Sequence, residues 1–183
     1  MEKELQRQFF HIIIGMLSIA VLVYLGRGFL IAGLFFAIII GTLIINVKIK
    51  GVNVPIVDWF EKSFEREEVH FPGWGSFWYA VGVLIAATYL NDISQIAAVI
   101  YILAIGDAAS TIVGRRGRIK LPFNKAKTVE GSLGFFFSSL PAYFFIGPLA
   151  LGLAVASTLA ESIPIVDDNI SVPVVAVIFL MVV

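Results

Sequence analysis

The chain has 183 residues, 59% of them hydrophobic and only 14% charged, and its mean hydropathy is +0.95. A soluble domain is about half apolar and a quarter charged, so this composition excludes one and predicts an integral membrane protein. The formal net charge of zero excludes nothing, because the distribution of charge is what matters, while the absence of cysteine removes disulfides, thiolate metal sites and a thiol nucleophile.

Seven apolar runs approach or reach the roughly 20 residues a helix needs to cross about 30 Å of hydrocarbon with its backbone hydrogen bonds satisfied internally. They are Phe9–Leu25, Gly28–Val47, Gly75–Leu90, Ser94–Val113, Gly131–Phe145, Pro148–Ile163 and Val172–Val183, the last three being short. The predicted fold is all-α: a polytopic membrane helix bundle of about seven transmembrane helices, one domain over residues 1–183. No cleavable signal peptide is expected, since a second apolar run follows the first with no small-residue cleavage site between them. Under this topology the amino terminus and the second, fourth and sixth loops share one side. That side carries Lys3, Arg7, Lys48, Lys50, Lys62, Arg66 and six basic residues of the fourth loop, whereas the other side has only Arg27. The bias predicts a cytoplasmic amino terminus, a cytoplasmic active site and an outer carboxyl terminus.

In chain order, the first polar feature is the face formed by Glu4, Arg7, His11 and Gly15, which recur at helical spacing as the first helix enters the membrane. Arg7 and His11 are candidates to hold a phosphate or position a hydroxyl; the alternative is a pair of snorkelling anchors. In the second loop, Pro55 is followed by Ile56, Val57, Phe60 and Phe64 on one helical face, with Asp58, Glu61, Lys62, Glu65 and Arg66 elsewhere. This pattern predicts a short interfacial helix. Phe71, Trp74, Trp78 and Tyr79 then mark the return to the membrane as an aromatic belt.

Asp107 sits about two turns before the predicted end of the fourth span, with Ser110, Thr111 and Gly114 completing a small, polar stripe. A carboxylate at that depth costs about 2.5 to 3.5 kcal/mol on insertion scales unless it faces a cavity, a cation or a partner, and intramembrane acids are functional by default. The competing reading is an aspartate that locks two helices together. After the stripe comes Gly114-Arg115-Arg116-Gly117-Arg118-Ile119-Lys120, then Pro122, Lys125 and Lys127-Thr128. Phosphates need several donors at once: glycines let backbone N–H groups approach, and Lys and Arg supply charge and forked hydrogen bonds. Gly114, Gly117, Arg118, Lys120, Lys125, Lys127 and Thr128 are therefore candidates for a polyphosphate site. A loop that only fixes topology or attracts anionic lipid is the alternative. Magnesium takes one or two carboxylates together with phosphate oxygens, and Asp107 and Glu130 flank the loop.

The sixth loop supplies Glu161, Pro164, Asp167-Asp168-Asn169 and Pro173 and has no basic residue. Asp, Asn and Pro are ordinary turn formers. Opposite a cationic loop, though, the cluster suggests a shared site.

At this point the pattern Asp107-x-x-Ser110-x-x-x-Gly114-x-x-Gly117, Pro122, Lys127-Thr128-x-Glu130-Gly131-Ser132 resembles the CTP-dependent lipid alcohol kinases: dolichol kinase, phytol kinase and the CTP-using diacylglycerol kinase. The Glu161…Asp167-Asp168-Asn169…Pro173 segment and the Glu4/Arg7/His11/Gly15 face look like theirs too. The resemblance implies transfer of the γ-phosphate of CTP to the hydroxyl of a lipid alcohol, with polyprenol or dolichol first and phytol or geranylgeraniol next. It implies Asp107, Asp168 and Glu130 as catalytic residues and Mg2+ ligands, and Asn169 beside the basic-loop residues on the nucleotide. It further implies Arg7, His11 and Glu161 as groups that position lipid or phosphate. Asp107 is the first candidate for the base and Asp168 the second, with the division between base and metal ligand open. The implied partners are CTP, the lipid alcohol and the bilayer, and no nucleic acid. Phosphatidate cytidylyltransferases share a similar Gly-x-x-Gly…Lys-Thr-x-Glu-Gly run, but their later basic and histidine-containing signature is missing here. A transporter would spread polar groups through the membrane, whereas these gather on one side and leave little beyond Asn91 and Asp92 on the other.

Overall fold

The computed structural model describes residues 2–64, 73–164 and 167–183. Among them every regular element is helical: α1 (Glu2–Leu25), α2 (Arg27–Ile49), α3 (Pro55–Phe64), α4 (Trp74–Tyr89), α5 (Ile93–Tyr101), α6 (Asp107–Gly114), α7 (Val129–Ser139), α8 (Tyr143–Ile146), α9 (Leu149–Ser162) and α10 (Asp168–Val182). A π-helical turn over Ile102–Gly106 joins α5 to α6, and a 3₁₀ turn over Leu140–Ala142 joins α7 to α8. The rods Lys3–Leu25, Arg27–Ile49, Ile93–Gly114 and Val129–Ile146 are long and apolar enough to cross a membrane. The chain is a multi-pass membrane protein. At 16, 14 and 15 residues, α4, α9 and α10 are shorter than a crossing of about 20 residues needs.

Helix ends fall where the sequence offers caps and breaks. Asp92 caps α5 by accepting the Ser94 N–H, Thr128 caps α7 through Gly131, and Asp167 caps α10 through Asn169. Two reversals need a positive φ and have glycine there, Gly26 at 92° between α1 and α2 and Gly147 at 60° between α8 and α9. Pro173 lies inside α10, where it cannot donate to the Asn169 carbonyl one turn back. A Cβ at Gly82 on α4 would lie 2.0 Å from that oxygen and 2.9 Å from Pro173 Cγ, so only glycine lets the two helices meet there.

The bundle centres on α5. Ile96, Ala97, Ala98, Val99 and Ile100 are buried in succession, the mark of a helix covered on every side. It packs against α1, α4, α8 and α10, while α4, α9 and α10 form a second group beside it and α2 closes on α1 and α4. Most of α2 stays uncovered, with Phe29, Phe35, Phe36, Ile39 and Leu43 exposed as lipid-facing side chains would be. The interfacial helix expected after Pro55 is α3. Phe60 and Phe64 meet Phe10 at ring-centroid distances of 5.1 and 4.7 Å, and Lys48 Nζ reaches Asp58 Oδ1 at 2.7 Å. Glu65, Arg66 and Phe71 lie outside the described residues. Of the expected aromatic belt, Tyr79 is not at the interface: it is 3% exposed, with its ring edge-on to His11 at 4.8 Å.

Candidate active site

Three elements bring the polar residues together. The rod Ile93–Gly114 carries Asp107 and Ser110, α9 carries Glu161 at its last turn, and α10 begins with Asp168 and Asn169. Lys127 reaches in from the loop before α7. Its Nζ donates to Asp168 Oδ2 at 2.9 Å and to Glu161 Oε1, which also accepts from Ser110 Oγ at 2.5 Å. Glu161 is 1% exposed, and its second oxygen, Oε2, has no partner among the described residues. Burial works against the Lys127 ammonium, but Asp168 and then Glu161 outweigh it and raise its pKa above the ordinary 10.5. Lys127 is thus a permanent cation between two carboxylates.

Asp107 lies just beyond the π turn, buried, with His11 Nε2 at 3.9 Å from its Oδ2. That distance is beyond a hydrogen bond, and the His11 nitrogen has no hydrogen-bond partner among the described residues. Asp168, Lys127, Arg7 and Glu161 all bear electrostatically on Asp107. The close approach of α1 that puts His11 here depends on Gly15, where a Cβ would lie 2.3 Å from Ala104 Cβ in the π turn. Arg7 is anchored one turn above: its Nε donates to Glu4 Oε1 at 2.8 Å, and Glu4 also accepts from Gln8 Nε2 at 2.9 Å and Arg115 Nη2 at 2.5 Å. Glu4 therefore ties the amino-terminal helix to the basic loop.

Asp107, His11, Arg7 and Asn169 line one end of a cavity of about 420 Å³. The rest of its wall is mainly apolar, from α1 (Phe10, Ile14), α2 (Leu34, Ala37), α3 (Phe60, Phe64) and α4 (Ala80). The side chain of Asn169 donates to Asp167 Oδ1 at 3.0 Å, and its own Oδ1 has no partner among the described residues. Asp167 also accepts from Trp74 Nε1 at 3.1 Å. A carboxylate at the buried end of a greasy cavity, beside a lysine held by two further acids, is suited to receiving a hydroxyl and moving its proton near a bound anion.

The basic loop folds as a hairpin, paired across Lys120 and Thr128. Thr128 is 2% exposed: it caps α7 and its hydroxyl also reaches the Gly114 carbonyl at 3.3 Å. A Cβ at Gly117 would lie 2.5 Å from Thr128 Oγ1 and 2.8 Å from Glu130 Oε2, and one at Gly114 would be 3.2 Å from Thr128 Oγ1. Both glycines are thus used in packing the turn on α7. Glu130 faces this turn, accepting the Arg118 N–H at 2.8 Å and the Ile119 N–H at 3.2 Å. Lys120 and Lys125 are exposed with no ion pair among the described residues.

The geometry therefore gathers Arg7, His11, Asp107, Lys127, Glu161, Asp168 and Asn169, and turns Glu130 to the hairpin. No group of three His, Asp or Glu side chains poised around a single metal occurs among the described residues. The carboxylates available to a hard cation near Asp107 are Asp168 and Glu161, and the unpartnered Glu161 Oε2 is an oxygen of the kind magnesium accepts. Two positioning residues escaped sequence reasoning. Arg115 holds Glu4, and the buried Asn124 holds the hairpin to α9 through Nδ2 and the Ser162 carbonyl at 3.0 Å. Nothing in the sequence distinguishes either from its neighbours.

Comparison with known proteins places this architecture among relatives. The chain is 34% identical over 175 residues to an uncharacterized protein of Methanocaldococcus jannaschii, covering 93% of this chain and 89% of that one. It is 30% identical to the farnesol kinase of Arabidopsis thaliana over 93% of this chain and 62% of that protein. It is 37% identical to a probable phytol kinase of Oryza sativa over 54% of this chain and 38% of the relative. The chain thus spans less than two thirds of the length of either plant protein. No family model matches it, and no solved structure does. The chain belongs to the same family as this archaeal protein, and over part of their length it is similar to the plant phytol and farnesol kinases.

Proposed function

We propose that the protein is a membrane-embedded kinase that transfers the γ-phosphate of CTP to the hydroxyl of a lipid alcohol of the polyprenol or dolichol type, with phytol or geranylgeraniol as the next candidates, releasing CDP. The observation that carries this reading is Asp107: a buried carboxylate with no hydrogen bond among the described residues, at the polar end of an otherwise largely apolar cavity and within the electrostatic reach of Lys127. The names of the plant relatives support a lipid alcohol as acceptor. The Gly-x-x-Gly…Lys-Thr-x-Glu-Gly run supports CTP as donor.

Phosphoryl transfer asks mainly for positioning and charge neutralisation. In this reading the acceptor's tail lies along Phe10, Ile14 and Leu34 and its hydroxyl reaches Asp107, which takes the proton as the oxygen forms its bond to the γ-phosphorus and the bond to CDP breaks. His11 lies on the same hydroxyl, and Arg7 faces the incoming phosphate. Lys127, carried by the hairpin, meets the triphosphate, and exposed Arg118, Lys120 and Lys125 guide it there. Gly114, Gly117, Thr128 and Glu130 hold the hairpin in shape. Asp107 and Asp168, with Glu161 behind them, are the residues that would hold Mg2+, which when bound neutralises charge on the triphosphate. The site faces the cytoplasm, where the basic residues gather.

The test is purified protein with magnesium and CTP labelled at either the α- or the γ-phosphate, over a panel of polyprenol, phytol, geranylgeraniol and diacylglycerol. Label from the γ position in the lipid product is expected. Label from the α position would replace the kinase by a cytidylyltransferase.

A further inference from the structure

Three buried polar atoms on side chains that line the cavity at Asp107 have no hydrogen-bond partner among the described residues: His11 Nε2, Asn169 Oδ1 and the Tyr79 hydroxyl. The kinase reading gives Tyr79 no task. Yet Tyr79 is only 3% exposed, a buried hydroxyl left unpaired is costly, and phenylalanine would fill the same space without it. The place of this hydroxyl is set by α1 and the π turn. The Tyr79 ring stands edge-on to His11 at 4.8 Å between centroids, and a Cβ at Gly15 would lie 3.4 Å from the Tyr79 hydroxyl and 2.3 Å from Ala104 Cβ. The hydroxyl therefore reaches the point where α1 meets the turn that leads into Asp107. The nearby Ser18 hydroxyl is turned back on the Ile14 carbonyl at 2.8 Å and is not in hydrogen-bond geometry with Tyr79.

The open atoms differ in what they offer a ligand. Asn169 Oδ1 has only lone pairs, as has the Asp107 carboxylate, and His11 Nε2 has one when the ring is neutral with its proton on Nδ1. Tyr79 has a proton to give. An alcohol oxygen carries one proton and two lone pairs, so a site of acceptors alone leaves both lone pairs unheld. Resting on the kinase reading of this site, we infer that the Tyr79 hydroxyl donates to the oxygen of the acceptor alcohol and holds it with one lone pair free for the γ-phosphorus. The alcohol's proton points to Asp107 and its second lone pair takes the Tyr79 O–H. As the free lone pair forms the new bond to phosphorus, the bond to CDP breaks and the alcohol's proton passes to Asp107, while Tyr79 keeps its own. Only the oxygen is read in this way, so the demand is the same for a tail of any length.

Tyr79→Phe removes the donor and keeps the ring. Binding of geranylgeraniol, and of the same chain with hydrogen in place of the hydroxyl, is measured on the whole protein in detergent by competition with a fluorescent prenol. Phosphate transfer to geranylgeraniol is measured in parallel. In the unaltered protein the alcohol is expected to bind more tightly than the hydrocarbon. Tyr79→Phe should weaken the alcohol by about 3- to 10-fold, the range for one neutral hydrogen bond, and leave the hydrocarbon within about twofold. Retained hydrocarbon binding also reports an intact cavity. Ser18→Ala, the control for a Tyr79 hydroxyl that merely serves Ser18, should leave both ligands within about twofold. An equal loss for alcohol and hydrocarbon in Tyr79→Phe, no loss for either, or the same alcohol-specific loss in Ser18→Ala overturns the assignment. An alcohol-specific loss in Tyr79→Phe alone, with no phosphate transfer even by the unaltered protein, keeps the Tyr79 contact and sinks the kinase reading instead.

Discussion

Asp107→Asn preserves the side chain's volume while removing the charge and the proton acceptor. Turnover is expected to fall by about 10²- to 10⁴-fold, the range for a lost general base. Thermal unfolding in detergent should be unchanged or slightly improved, because the carboxylate makes no hydrogen bond among the described residues that the amide would lose. Retained activity with loss of folding would instead make Asp107 a helix-locking residue. Lys127 poses the opposite problem, since it is the partner of a fully buried Glu161. Lys127→Met should destabilise the protein by about 3 kcal/mol, the low end for breaking a buried pair because the lysine is 26% exposed. Adding Glu161→Gln should restore most of that loss. The sign of the pH effect follows from the raised Lys127 pKa. Its ion-pair stabilisation is complete below the ordinary 10.5 and disappears only as pH rises through the higher folded value, so titration of Lys127 itself should take no stability from the wild type over roughly pH 6 to 9 in thermal denaturation.

Between elements, the decisive contacts are backbone approaches rather than functional groups. Glu130→Ala removes the acceptor of two hairpin N–H groups and is expected to make the loop cleavable by trypsin after Arg118 or Lys120 several times faster than in Asp107→Asn. Equal cleavage rates in the two variants would deny Glu130 its part in shaping the loop. Gly15→Leu should drive α1 off the π turn and separate His11 from Asp107. These contacts mark the limit of what sequence carries. The apolar runs revealed the rods because 20 uninterrupted apolar residues have few alternatives to a helix in lipid. The amphipathic spacing from Pro55 to Phe64 likewise revealed α3. The acids and the lysine stood out because charge near the membrane is rare. What the pattern left unresolved was direction: the spacing from Asp107 to Glu130 is the same whether Glu130 faces a nucleotide or its own hairpin, and only the fold turns it to the Arg118 N–H. Gly114 and Gly117 carry the same ambiguity, since a glycine that admits a phosphate and one that admits Thr128 read alike.

For the whole molecule, the charge bias is reinforced by what Arg27 does. Its Nε donates to the Ala87 carbonyl at 2.6 Å and its Nη groups to Asn91 Oδ1 and the Thr88 carbonyl, so the lone cation away from the basic side closes the carboxyl end of α4. The absence of native cysteine gives a clean topology test. Single cysteines at Lys125 and Asp92 should react with a membrane-impermeant maleimide from opposite sides, Lys125 from the cytoplasm. Labelling of both from one side would overturn the bundle's proposed orientation.

The π-helical turn over Ile102–Gly106 has a consequence for the length of the chain. Such a turn holds one more residue than the α-helix around it needs, so the stretches before and after it face their partners as they would in a rod one residue shorter. Removing the partly exposed Ile105 should let the turn tighten to α-helix with Asp107 still facing the cavity, whereas removing Val155 from α9, which has no wide turn, should swing Glu161 away by about 100°. At that one place in the rod Ile93–Gly114, the protein can differ from a relative by a single-residue gap without losing the direction of its acid.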